Sequence, residues 1–95
     1  MVREIAVFQV QEGHGKDFVT AYESVSEILT NAEGNHGASL HRGVEDPSTF
    51  TLIVEWDSVD SHTAVTQKPE FKQFGDAVGP HLAGQPQVNH VEAVA

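Results

Sequence analysis

No cysteine occurs in the chain, which excludes disulfides, thiolate nucleophiles, zinc–thiolate sites and iron–sulfur clusters without fixing the compartment. Basic residues are scarce, five Lys and Arg against fourteen Asp and Glu, for a formal charge of −9. Such a field repels phosphate backbones and anionic headgroups, so neither nucleic acid nor membrane is expected as a partner. No apolar run approaches the ~20 residues that span a bilayer. The start, 1-MVREIAVFQV-10, puts Arg3 and Glu4 where a signal peptide would begin its apolar region, so a cytoplasmic protein is expected. Phosphate-cradling loops are missing too: 13-GHG-15 is too short, and neither GxGxxG nor Walker spacing occurs.

What is present fits one globular domain over residues 1–95, with 39% hydrophobic and 20% charged residues. Its core is thin, and self-association would add burial.

The segment 4-EIAVFQVQ-11 carries Ile5 and Val7 on one face and Ala6, Phe8 and Val10 on the other, which predicts a strand covered on both sides. Glycines in 12-EGHGK-16 make a turn. Phe18, Tyr22, Val25, Leu29 and Ala32 then recur at helical steps, ending near 34-GNHG-37. A second strand is predicted over 38–45, a turn at 45-EDPST-49, and the strongest strand at 50-FTLIVEWD-57, where Phe50, Leu52, Val54 and Trp56 share a face. Ser58 can cap a second helix, which Lys68-Pro69 interrupts and restarts with Phe71, Phe74, Val78 and Leu82 on one stripe. A last strand is predicted over 87-QVNHVEAV-94.

The order strand, helix, strand, strand, helix, strand is the split βαβ arrangement. It predicts an α+β, ferredoxin-like βαββαβ fold, a four-stranded antiparallel sheet with two helices on one face. The opposite sheet face is too apolar to stay in water, so a homodimer packed sheet to sheet is expected.

The stretches 6-AVFQVQEGHGKDF-18, 43-GVEDPSTFTLIVEWDSVDSHTAVTQKPEFKQF-74 and 85-QPQVNHVEAV-94 resemble the antibiotic biosynthesis monooxygenase family of dimeric α+β barrels. The specific part is an ordered series: an acidic Asp-Pro turn, an apolar strand ending in Glu-Trp, a Ser-x-x-x-His step and a Pro-x-Phe-x-x-Phe helix. The resemblance implies a cavity between each sheet and its own helices, and oxidation of quinols or polycyclic phenols by dioxygen without metal or flavin. Haem-degrading relatives use a tryptophan and an iron-binding histidine on the second helix and an asparagine on the first strand. Here Val65 stands at the tryptophan position and Phe74 or Gly75 near the histidine position, and 4-EIAVFQVQ-11 has no asparagine, so haem is not expected.

Cofactor-free oxygenation requires a base that makes the phenolate, a donor that stabilises the anion, and a dry pocket. Histidine suits the base, and His62, six residues beyond Trp56, is the candidate. Its plain alternative is a half-buried histidine packed on Trp56 or capping its helix. Trp56 offers a stacking wall and an indole donor, or else fills the core. Tyr22 can reach a ligand oxygen from the helical stripe, and Phe71 and Phe74 are core residues that also line a pocket. Arg42, on an apolar strand face, needs a carboxylate partner or a ligand anion. Of the other histidines, His14 and His36 fall in turns and should be exposed, while His41 and His90 could meet across the sheet. No two histidines have the i, i+4 spacing of helical ligands, so no metal is expected.

The reading is a cofactor-independent monooxygenase of a quinol or phenolic aromatic, with Trp56, His62, Tyr22, Arg42, Phe71 and Phe74 at its site and dioxygen as co-substrate. Its rival is a non-catalytic binding module for an aromatic metabolite in the same pocket. A third reading is an assembly protein with a vestigial cavity.

Overall fold

The computed structural model describes residues 1–95. Strand β1 (Val2–Gln9) leads into α1 (Gly15–Val25) and a short α2 (Glu27–Thr30), and β2 (Asn35–Arg42) and β3 (Thr49–Trp56) follow as a hairpin. Helices α3 (Val59–Thr66) and α4 (Phe71–Val78), a 3-10 turn at Gly79–His81 and β4 (Gln87–Val91) complete the chain. All strands pair antiparallel in the order β2-β3-β1-β4, the ferredoxin-like arrangement predicted from the element order.

One sheet face carries the core. Ala6, Phe8 and Val10 on the first strand segment and Phe50, Leu52, Val54 and Trp56 on β3 are buried under Phe18, Tyr22, Leu29, Val65, Phe74 and Val78 from the helices. Phe18 is wedged between Phe8 and Phe50, with ring centroids 5.4 and 5.1 Å apart. Helices cover this face alone, so the two-sided cover expected for β1 is not met within one chain. Ile5, Val7 and Ile53, which alternate out of the core, are half-buried on the other face.

Both predicted helices are broken in two. At Pro69 the break is the one foreseen, since the ring removes the N–H that would bond back along the helix. At Ser26 it was not. The hydroxyls of Ser24 and Ser26 donate to the carbonyls of Ala21 and Glu23 at 2.6 and 3.3 Å, a local competition that bends helices.

The second strand lies three residues earlier than predicted because the hairpin tip takes residues 43–48. Gly43 donates its N–H to Thr49 at 2.7 Å, and the Asp46 side chain accepts from the Ser48 N–H and the Thr49 hydroxyl. A Cβ on Gly43 would sit 2.5 Å from the Asp46 carbonyl oxygen, so the tight tip requires glycine. Strand β4 stops at Val91, paired with Arg3, because its partner β1 starts at Val2.

Candidate functional site

A strand that buries one face should place apolar side chains there, and β1 breaks this rule once. Glu4 shares the inward face with Ala6 and Phe8 and is 5% exposed, the only buried residue of polar or charged type. An uncompensated carboxylate in such a place costs several kcal/mol, so its neighbours matter.

The neighbours come from three other elements. Trp56, at the end of β3, donates its indole N–H to Glu4 Oε1 at 3.0 Å. His62 Nε2 lies 3.4 Å from the same oxygen. Ser58 sets that approach: its hydroxyl accepts from the Ser61 N–H at 3.2 Å, capping α3 where His62 sits in the first turns. The imidazole lies flat on the indole, centroids 5.6 Å apart and planes 15° from parallel. On the far side His62 Nδ1 is 2.8 Å from Nε2 of His90, which pairs directly with Glu4 across β1 and β4.

Nδ1 of His62 and Nε2 of His90 share one proton, and which of them donates depends on the tautomer. Burial pushes the His62 pKa down, with Glu4 pulling it up and His90 lowering it again, and the net result lies below the ordinary histidine value. His62 is therefore neutral at neutral pH and able to take a proton.

Tyr22 on α1 belongs to the same field. Burial first and the Glu4 charge second raise its pKa, so its phenol stays protonated and able to donate. It meets Phe74 edge-on at 6.2 Å, and Phe74 stacks on Phe71 at 5.7 Å. Tyr22 also lines a groove of about 360 Å³ between α1 and β2, with Val19, Glu23, Leu40, His41, Arg42 and Phe50.

The residues singled out in the sequence thus fall into two groups joined by Tyr22. Trp56 and His62 lie together with Glu4, and Arg42 stands across the molecule at the open groove. The indole is fully enclosed and covered by His62, so in this conformation it packs against a side chain and presents no free wall to a ligand. Arg42 lacks the carboxylate partner expected of it, since the arginine ion pair in the chain is Arg3–Glu55 at 3.1 Å on the opposite sheet face.

Three histidine expectations are corrected. His41 and His90 cannot meet, because β2 and β4 are the two edges of the sheet. His14 is half-buried, its Nδ1 3.1 Å from Nδ1 of His81, and is not a free turn residue. His36 is exposed as expected but sits on β2 and not in a turn, bonded to Asp57.

Two members of the buried cluster escaped the sequence reading. Glu4 was visible as a carboxylate in phase with Ala6, Phe8 and Val10, and that phase was the available signal. His90 had none, because its place depends on β4 pairing with β1.

The profile described as antibiotic biosynthesis monooxygenase matches residues 1–77. A crystal structure from Bordetella bronchiseptica assigned to antibiotic biosynthesis monooxygenase is 36% identical, with a TM-score of 0.94 over 99% of this chain and 97% of that one. SnoaB, a cofactor-independent oxygenase from Streptomyces nogalater, is 16% identical with a TM-score of 0.86 over 99% and 93%, a likeness of fold. The uncharacterized protein YczJ of Bacillus subtilis is 26% identical over 99% of this chain and 100% of its own length.

Proposed function

The chain belongs to the antibiotic biosynthesis monooxygenase family, and from that premise we propose that it oxidises a quinol or phenolic aromatic with dioxygen, without metal or flavin. The observation that carries the reading is the buried Glu4 carboxylate holding Trp56 and His62. Carboxylates are rarely buried for stability alone, and perturbed, coupled titratable groups cluster at functional sites.

The roles follow from the protonation states. Neutral His62 accepts the phenolic proton at Nδ1 once the substrate displaces His90 from that nitrogen, and Glu4, on the Nε2 side, stabilises the imidazolium that forms. Protonated Tyr22 donates to the phenolate. Arg42 rims the groove that Tyr22 also lines, and Phe74, stacked on Phe71, braces the Tyr22 ring. The phenolate gives an electron to dioxygen, and radical recombination forms the new C–O bond. For an anthrone-like substrate, a CH₂ becomes C=O, one oxygen atom stays in the product and the other leaves as water. The two C–H bonds supply both hydrogens and electrons, so no external reductant enters the balance.

A homodimer through the open sheet face is part of this proposal, because Ile5, Val7 and Ile53 lie there half-buried. The test is dioxygen uptake by metal-free protein offered hydroquinones and anthrone-like phenols. Glu4→Gln and His62→Ala should each lower uptake by roughly 10²-fold or more, the range of one lost acid–base group. Uptake that persists in both variants would remove the cluster from the chemistry.

The groove opens at Tyr22 and not at His62, and this favours a second reading, a module that holds an aromatic metabolite without turning it over. That module would shift the amide resonances of residues lining the groove, Tyr22 and Arg42 among them, on binding and consume no oxygen.

A further inference from the structure

Two histidines outside the buried cluster face each other. His14 caps the start of α1 and His81 ends the 3-10 turn after α4, and their Nδ1 atoms are 3.1 Å apart. They are 67 residues apart in sequence, so no local spacing announces the pair.

The backbone fixes both residues without using either ring. The His14 N–H donates to the Gln11 carbonyl at 3.0 Å, and the His14 carbonyl accepts from the Phe18 N–H at 2.8 Å. The His81 carbonyl accepts from the Gln11 N–H at 2.9 Å, while the Gln11 side chain donates to the carbonyls of Pro80 and Leu82. Both imidazoles are half-buried, which limits their sweep through solvent.

Two like nitrogens at this distance can share a proton or a cation. Nitrogens 2.0–2.1 Å from a metal ion stand about 2.9 Å apart at a right angle and about 3.3 Å apart at the tetrahedral angle. The observed 3.1 Å falls between the two. The ring centroids are 5.4 Å apart, so the nitrogens meet nearly head-on and each ring turns slightly to reach an ion off that line. Either imidazole frees its Nδ1 by carrying its proton on Nε2. His62 and His90 are also in contact, but His62 turns one nitrogen to His90 and the other to Glu4, so those three cannot converge on one ion.

The surrounding charge suits a cation. The chain carries −9, and His81 ends the helical run from α4, whose negative end attracts positive charge. The positive end of α1 opposes it, offset by Asp17 in that first turn.

We propose that His14 and His81 bind one divalent transition cation through their Nδ1 atoms, Cu²⁺ more tightly than Zn²⁺, with water in the remaining positions. Imidazole suits these ions, and the order follows the general ranking of divalent metals. No third imidazole or carboxylate joins the pair, so its affinity stays below that of a four-ligand structural site. The ion ties the entry of α1 to the connection between α4 and β4, beside the bridge of Val10 to Leu82. Val10 is about 20 Å of extended chain from Glu4, so the ion takes no part in the oxygen chemistry and the proposal is independent of it.

The test titrates the metal-stripped full chain with Cu²⁺ and with Zn²⁺ by calorimetry and records the paramagnetic resonance of the copper complex. One equivalent of Cu²⁺ should bind, more tightly than Zn²⁺, with two nitrogens in its equatorial plane and a raised thermal midpoint. His14→Gln and His81→Gln should each lower Cu²⁺ affinity at least tenfold and cancel that rise, whereas His62→Ala should keep both. Circular dichroism checks the fold of the variants. Independently of them, Zn²⁺ added to the parent chain should move the Nδ1 resonances of His14 and His81. Unchanged affinity in either Gln variant, a loss that follows His62→Ala, Zn²⁺ shifts confined to other histidines, or no saturable binding below millimolar Cu²⁺ would each overturn the proposal. Absent oxygen uptake would sink the oxygenase reading and leave the metal site standing.

Discussion

Burial decides the electrostatics of the interior, with Glu4 opposing it at His62 and adding to it at Tyr22, and a single pH experiment reads the net effect. Glu4 on β1, His62 on α3 and His90 on β4 face one another, and the Glu4 charge also reaches Tyr22 on α1. His62 has a folded pKa below its unfolded value, so over the interval between them the unfolded chain binds the extra proton. The His62 contribution to stability should therefore be complete above the ordinary histidine range and be lost as pH falls through it toward the lowered folded value. Urea midpoints measured from neutral to mildly acidic pH should fall, and less so in His62→Phe; identical slopes in the two proteins would refute the assignment. This residue-level pattern was half legible. Glu4 stood in phase with an apolar strand face and His62 lay near Trp56, but which nitrogen faced which carboxylate depended on strand register and helix placement.

At the level of elements, α3 is the part that aims His62. Its eight residues are few for a helix to persist unaided, and Ser58 supplies a partner for one of its four free N–H groups. Ser58→Ala should cost about 1 kcal/mol in urea unfolding. It should also loosen the stack on Trp56, seen as a shift in tryptophan emission. An unchanged midpoint and spectrum would mean that packing alone places the helix. Element order, the Ser58 cap and the break at Pro69 could all be read from sequence, because each has a local chemical cause. The break at Ser26 and the early start of β2 could not, since the first depends on competing side-chain bonds and the second on how the hairpin tip closes around Asp46.

For the molecule as a whole, the sheet is covered on one side only. Ile53 lies on β3, opposite Ile5 on β1, in the middle of the uncovered face. Ile53→Lys should break the proposed dimer, seen as sedimentation nearer a monomer than the parent chain at micromolar concentration, while the helices over the other face keep their circular dichroism. Persistence of the dimer would place the self-contact elsewhere.

The buried cluster draws on positions 4, 56, 62 and 90, close to the full span of the chain. Contacts so distant in sequence must meet the loop-closure entropy before they repay it, so the cluster is expected among the later contacts to form. Until the edge strand β4 zips onto β1, His62 has its carboxylate but not its second imidazole. Completion of the proton chain is thus a report that both ends of the polypeptide have met, and a chain that lost its final strand would keep most of its core and lose this circuit first.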